Sequence, residues 1–114
     1  MMIRIDTDGA ATSGTGTDVL TGETFVSYEH GIAIIGITQV STGTVANDAD
    51  WDLYINGLST SYGWKAEELN PANVGLLDLS KSPIKIGPRR KIQLKWSGQG
   101  AAAACRLVLQ AVPA

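Results

Sequence analysis

The chain has 114 residues, 44% of them hydrophobic and 18% charged, with a formal net charge of −2. This length predicts a single domain, and the apolar content excludes a disordered chain. The one cysteine, Cys105, excludes an internal disulfide. The longest apolar run, residues 31–37, is far shorter than the roughly 20 residues that a membrane-spanning helix needs. The start of the chain lacks a signal-peptide pattern, so we expect it to fold in the cytosol.

Acidic and basic residues are segregated along the chain. Residues 1–80 hold all 11 carboxylates and only two bases, Arg4 and Lys65, whereas residues 81–114 hold the other seven bases and no acid. The formal charges of the two parts are therefore −9 and +7, which sum to −2. Opposite poles on one small domain can attract each other within a molecule or between copies of it.

The N-terminal residues predict a short strand followed by an arm. Met2 to Ile5 has strand-forming residues, and residues 8–17 (DGAATSGTGT) are small and polar. Such a composition buries little apolar area and is typical of mobile linkers. The sequence therefore predicts a flexible strand, arm and loop over residues 1–17, and a single β-sandwich domain over residues 18–114.

The middle of the chain predicts a buried strand and a hairpin. Residues 31–40 (GIAIIGITQV) form a nearly continuous apolar run, which favours a central strand with Gly36 at a bulge or close backbone approach. Residues 51–56 alternate, with Trp51, Leu53 and Ile55 on one face. Asn56-Gly57 is a strong turn signal, and residues 60–64 return as the partner strand.

The C-terminal part predicts short strands and one helical turn, over residues 65–69. Residues 76–79 and 84–86 are short strand candidates. Residues 90–97 alternate with Ile92, Leu94 and Trp96 inward, and residues 101–113 form a last strand, predicted to make a hairpin with 90–97. The fold class is thus all-β: an antiparallel β-sandwich of about eight or nine short strands with at most one helical turn, the jelly roll being one topology that fits.

Three acidic residues, Asp48, Asp50 and Asp52, are spaced two apart, which places them on one face of an extended strand. The simplest interpretation is a solvated acidic edge that prevents edge-to-edge pairing. A docking face for a basic partner and a cation site are the alternatives.

The sharpest local feature is a basic cluster of Lys85, Arg89, Arg90, Lys91 and Lys95. Lys91 and Lys95 share a strand face with Gln93 and form a basic stripe. A solvated strand face and a protein-docking or self-assembly surface are both compatible with this pattern. Nucleic acid or a sulfated glycan is less favoured, because such sites usually have more net positive charge and interleaved exposed aromatics.

Aromatic residues near the Asn56-Gly57 turn suggest a second kind of surface. Tyr54, Tyr62 and Trp64 flank this turn and could form an exposed platform for a glycan. Cross-strand aromatic packing is the simpler interpretation.

The sequence offers little support for catalysis. His30 is the only histidine, and no nucleophile lies in a motif with a base and an orienting group. We therefore expect no enzyme activity, no catalytic residue, no metal and no cofactor.

The overall build resembles one class of protein. The segment of this chain that carries the resemblance best is the final stretch KIQLKWSGQGAAAACRLVLQAVP, preceded by IKIGPRRK. With its small-residue arm and bipolar charge, the chain resembles the small β-sandwich proteins of virions, such as phage head decoration (cement) or minor capsid proteins. The resemblance covers the overall build and carries over no functional residue.

This resemblance implies a non-enzymatic structural subunit that works as a homo-oligomer on the capsid surface, with virion localisation after assembly in the host cytoplasm. Residues 1–17 would then reach a neighbour. Arg89, Arg90, Lys91 and Lys95 would meet an acidic shell protein or an acidic face of the next copy. The alternative function is a carbohydrate-binding β-sandwich module.

Overall fold

Ten β-strands form the described part of the protein. The computed structural model describes residues 1–8, 11–41, 49–65, 76–99 and 105–114, and none of these residues is helical. The strands are β1 (Met2–Asp6), β2 (Gly14–Thr15), β3 (Thr17–Asp18), β4 (Ile32–Ser41), β5 (Asp50–Ile55), β6 (Leu58–Lys65), β7 (Leu77–Asp78), β8 (Ile84–Ile86), β9 (Ile92–Ser97) and β10 (Cys105–Pro113). The all-β prediction is confirmed. Ten strands are one more than the upper figure of the predicted eight or nine, and β2 and β3, of two residues each, lie in the segment predicted as an arm and loop.

The larger sheet, sheet A, has the strand order β3-β1-β10-β4, with β7 and β8 both paired to β4. All of these pairs are antiparallel. β4 is central, as its continuous apolar run predicts. Gly36 lies beside the predicted bulge: Gln110 pairs with Gly36 and Ala111 with Ile34, so Ile35 has no partner in β10. A side chain at Gly36 would lie 3.1 Å from Oε1 of Gln110.

The smaller sheet, sheet B, has the strand order β2-β9-β5-β6 and is also antiparallel. Asn56 and Gly57 join β5 to β6, and both have positive φ (52° and 81°), as the predicted two-residue turn requires. The predicted alternation is confirmed: Trp51 and Leu53 are buried, whereas Asp52 is exposed. Ile92, Leu94 and Trp96 of β9 are buried in the same way.

The inner faces of the two sheets form one core. Sheet A contributes residues such as Ile5, Ile37 and Leu107, and sheet B contributes Trp51 and Leu53. One buried hydrogen bond joins the sheets directly, because Nε1 of Trp51 in β5 donates to Oε1 of Gln39 in β4. Two antiparallel sheets with a shared core are the architecture of the predicted β-sandwich. The jelly-roll topology stays a prediction.

The predicted hairpin between residues 90–97 and 101–113 is wrong. β9 pairs with β5 and β2 in sheet B, whereas β10 pairs with β1 and β4 in sheet A. The two strands therefore lie in different sheets. Alternation determines which face of a strand is buried and leaves the neighbouring strand open.

The segment predicted as a flexible arm, residues 1–17, is instead part of the sandwich over its described residues. β1 lies between β3 and β10, and β2 lies at the edge of sheet B beside β9. Gly16 passes from one sheet to the other, and its N–H donates to the carbonyl oxygen of Leu94 (2.7 Å). A side chain at Gly14 would lie 2.8 Å from the Trp96 ring. Glycine occurs at positions 14 and 16 because the chain passes so close to buried side chains that a larger residue would clash with them. The predicted domain boundary, between residues 17 and 18, falls inside β3.

Other predicted features lie outside the described residues. The helical turn over residues 65–69 begins at Lys65, the last residue of β6, and its other residues are not among those described. Residues 101–104 of the predicted last strand and Asp48 of the acidic group also lie outside.

Candidate functional site

The predicted basic cluster centres on a loop that connects the two sheets. We call residues 87–91, between β8 of sheet A and β9 of sheet B, the basic loop. The N–H of Arg89 donates to the carbonyl oxygen of Tyr28 (2.7 Å). The N–H of Asn56 donates to the carbonyl oxygen of Lys91, and the N–H of Lys91 donates to Oδ1 of Asn56, both at 2.8 Å. These bonds attach both ends of the three-cation run to the sandwich.

The side chains of the basic loop point to solvent. Arg89, Arg90 and Lys91 are exposed, and so is Lys85 of the adjacent β8. Among the described residues a single ion pair occurs, between Arg106 and Asp6, so no described carboxylate lies within 4 Å of the loop cations. The Nζ atom of Lys91 lies 4.5 Å from the ring centroid of Phe25, a cation–π contact. Within the described residues, the loop therefore presents its cations to solvent with no carboxylate in ion-pairing range.

The fifth predicted basic residue, Lys95, lies apart from the loop on β9. Its Nζ atom lies 4.3 Å from the ring centroid of Tyr54. Directly opposite Lys95 on the neighbouring strand is Asp52. The basic cluster thus consists of two parts, the basic loop with Lys85 at one end of the sandwich and Lys95 on the outer face of sheet B.

The predicted acidic face is partly described. Asp50 and Asp52 are exposed on the same face of β5, as their spacing predicts. Within residues 1–8, 11–41, 49–65, 76–99 and 105–114, no three acidic, histidine or cysteine side chains are close enough to share a metal ion. What these two carboxylates can do is attract a cationic partner.

The three aromatic residues of the predicted glycan platform do not share one face. Trp64 is paired with Trp51 and packs against the core. Tyr54 pairs with Gln93 and Ser59 on the outer face of sheet B. Tyr62, which is 50% exposed, lies on β6 at the sheet edge. The turn could have revealed this, because counting alternate residues from Asn56-Gly57 places Tyr54 and Trp64 on opposite faces.

Sequence reasoning missed a groove at the other edge of sheet A. It is lined by Met2, Arg4, Asp18, Val19, Leu20 and Tyr28. Asp18 is buried and accepts hydrogen bonds from the N–H and hydroxyl of Thr21. Burial, with a smaller contribution from the Asp18 charge, raises the pKa of the Tyr28 phenol. The signal in the sequence was the apolar pair Val19-Leu20 just before a turn, of which Leu20 is 91% exposed.

Comparison with known proteins adds no family to this description. The sequence matches no protein-family model, no curated protein and no solved structure. Among the residues that the structure describes, no helix is long and apolar enough to cross a membrane.

Proposed function

We propose that this chain is a non-enzymatic structural subunit that docks onto other protein subunits through charged surfaces. The basic loop is the observation that supports this proposal most directly. Its three consecutive cations are exposed, and the backbone on both sides of them is hydrogen-bonded to Tyr28 and Asn56. A surface that is already ordered loses less conformational entropy on binding. Its positive charge would attract an acidic protein face and accelerate encounter with it.

The class of assembly that best fits this build is a virion. A small β-sandwich with opposite charges on different parts of its surface suits a subunit that decorates, cements or completes a capsid shell. The partners would be other copies of the chain and an acidic shell protein, with Lys85, Arg89, Arg90 and Lys91 at the shell contact. The site of action would be the virion, after assembly in the host cytoplasm.

The experiment is cosedimentation with empty phage heads that differ in outer surface charge. We expect the wild-type protein to sediment with acidic heads at low salt and to be released at high salt. The variant Arg90→Glu/Lys91→Glu should remain folded, because exposed charges contribute little to stability, and should stay in the supernatant. Lys81→Glu, which changes an exposed base outside the basic loop, is the control and should sediment like wild type.

Two results would contradict the proposal. One is cosedimentation that neither salt nor the double charge reversal affects. The other is a protein that binds no head and also stays monomeric at low salt, because an assembly subunit has to bind either a shell protein or another copy of itself. Glycan binding, the alternative, lacks a shared aromatic face in this structure. A change in tryptophan emission on addition of a glycan would support it instead.

A further inference from the structure

The outer face of sheet B separates positive from negative charge by strand. β5 directs Asp50, Asp52 and Tyr54 outward, whereas its neighbour β9 directs Gln93, Lys95 and Ser97 outward. These residues are in direct register: Asp52 is opposite Lys95, Tyr54 is opposite Gln93, and Asp50 is opposite Ser97. The charged residues that β5 directs to this face are therefore both acidic, and the one charged residue that β9 directs to it is basic.

Asp52 and Lys95 do not form an ion pair with each other, although opposite charges in this position usually attract. The Lys95 side chain leans diagonally over the Tyr54 ring, with Nζ 4.3 Å from the ring centroid. The Asp52 carboxylate leans the other way, over Gly63 of β6, where a Cβ atom would lie 2.7 Å from Oδ1. The two charges thus remain separate.

We propose that this face binds the same face of a second copy of the chain. The inference rests on the proposed assembly function and specifies the surface used between copies. Consider a two-fold axis that runs parallel to the strands, midway between β5 and β9. Rotation about it places β9 of the second copy over β5 of the first at unchanged height along the strands. Because Asp52 and Lys95 are in register, each carboxylate then faces the lysine of the other copy.

The same rotation matches the neighbouring row. Tyr54 faces Gln93 of the second copy, so that a phenol hydroxyl meets an amide that can both donate and accept. Two sheets that pack face to face with nearly aligned strands are a common arrangement. The interface is isologous, as closed two-fold dimers require.

The size of the face predicts a weak dimer. β5, β6 and β9 have six to eight residues each and β2 has two, so with strands about 4.8 Å apart the face covers a flat area of roughly 15 by 20 Å. This footprint is smaller than that of stable specific complexes and is in the range of weak, transient ones. Charged groups at such an interface confer specificity and salt dependence more than affinity. The dimer should therefore form at high protein concentration and low salt.

The test uses two single charge reversals and their mixture, analysed by sedimentation velocity at low salt. Asp52→Lys places lysine opposite lysine across the dimer, and Lys95→Asp places aspartate opposite aspartate. Each variant alone should show a dimer dissociation constant raised by roughly tenfold or more. An equimolar mixture should form dimers again, because in the heterodimer both contacts join a lysine to an aspartate.

Recovery on mixing separates contact between copies from repair within one chain, since no single chain in the mixture has both signs restored. Glu23→Lys and Lys81→Asp make equal charge changes at exposed positions away from this face and should dimerise like wild type. Circular dichroism and thermal unfolding verify that each variant is folded. A variant that fails to fold is replaced by the milder Asp52→Asn or Lys95→Gln, which should weaken the dimer several-fold.

Three outcomes would overturn the inference. They are a wild-type protein that stays monomeric at every concentration, dimers that both reversals leave intact, and a mixture that does not recover. The first would leave this face free for a different partner. Failure of these dimer tests, with head binding still lost in Arg90→Glu/Lys91→Glu, would retain the proposed function and overturn only this surface. Head binding that Arg90→Glu/Lys91→Glu does not weaken would contradict the proposed function instead.

Discussion

Each sheet has an acid directly opposite a base on the neighbouring strand, but these two residues form an ion pair in only one of the sheets. In sheet A, Asp6 of β1 is opposite Arg106 of β10, and the side chains form an ion pair with 2.6 Å between Oδ1 and Nε. In sheet B, Asp52 and Lys95 occupy the same relation and stay apart. Each of these pairs joins a base from the basic C-terminal part of the chain to an acid from the rest. Register brings two charges close, and the neighbouring side chains decide whether they meet.

The difference has a local cause in sheet B. Tyr54 offers its ring to the lysine, and Gly63 leaves room for the carboxylate. The guanidinium in sheet A donates two hydrogen bonds to Asp6, from Nε to Oδ1 and from Nη2 to Oδ2, a geometry that a lysine cannot reproduce. Asp6 and Arg106 thus pair with each other, whereas Asp52 and Lys95 stay separate, as the proposed contact between copies requires.

The largest expected effect is the loss of stability on removing Trp51, which packs in the shared core and donates a hydrogen bond across it. Trp51→Ala removes a side chain that is 1% exposed and leaves the Gln39 amide without its donor. We expect the free energy of unfolding to fall by about 3–5 kcal/mol, measured by urea denaturation. Tyr62→Ala, at a half-exposed edge position, is the control and should change it by less than about 0.5 kcal/mol. Equal losses in the two variants would mean that Trp51 does not link the sheets.

A smaller change should make sheet B behave like sheet A. Gly63→Ala adds a Cβ atom that would lie 2.7 Å from Oδ1 of Asp52 and 3.0 Å from the backbone oxygen of Trp51, so the flexible Asp52 carboxylate must move off Gly63. We expect an internal ion pair to form and the dimer to weaken several-fold in sedimentation velocity. An unchanged dimer would indicate that the position of Asp52 over Gly63 has no role in association.

The contrast between the sheets can be measured directly with two double-mutant cycles at a concentration where the protein is monomeric. The Asp6→Asn and Arg106→Gln cycle should give a coupling free energy of about 0.5 kcal/mol, because both side chains are more than one-third exposed and water screens them. The Asp52→Asn and Lys95→Gln cycle should give a coupling free energy close to zero. Similar couplings in both cycles would remove the distinction.

Tyr28, which lines the groove at the edge of sheet A, should make the free energy of unfolding depend on pH at high pH. Burial and then the Asp18 charge raise the pKa of Tyr28 above its ordinary value of 10.0. The unfolded chain therefore loses this proton first as the pH rises. The contribution to stability is complete below pH 10.0 and is lost as the pH rises through the folded pKa. Tyr28→Phe should flatten this fall in urea denaturation midpoints; an unchanged slope would contradict the assignment.

The sequence predicted which face of a strand is buried better than it predicted which strands pair with each other. Alternation in residues 51–56 and 92–97 correctly identified the buried rows, and Asn56-Gly57 correctly located a turn. The pairing of β10 with β1 and β4 was missed, because a period of two residues says nothing about which strand lies beside it. Gly14 and Gly16 suggested a flexible arm, since composition alone does not separate a mobile loop from a close crossing.

The sequence predicted a basic stripe and an acidic face separately, and not how they lie relative to each other. The run at residues 89–91 was correctly expected to reach solvent. That Lys95 belongs to another surface, opposite Asp52, depends on the pairing of β9 with β5, which no local pattern encodes. The roles of Phe25, Tyr54 and Gly63 in placing the charges depend on the same long-range register.

The most direct test of self-association through sheet B is light scattering on a sizing column over a range of wild-type concentrations, at low and high salt. We expect a monomer–dimer equilibrium at low salt that shifts to monomer at high salt, because paired charges across the interface are screened. A protein that remains monomeric at every concentration and at both salts would contradict it.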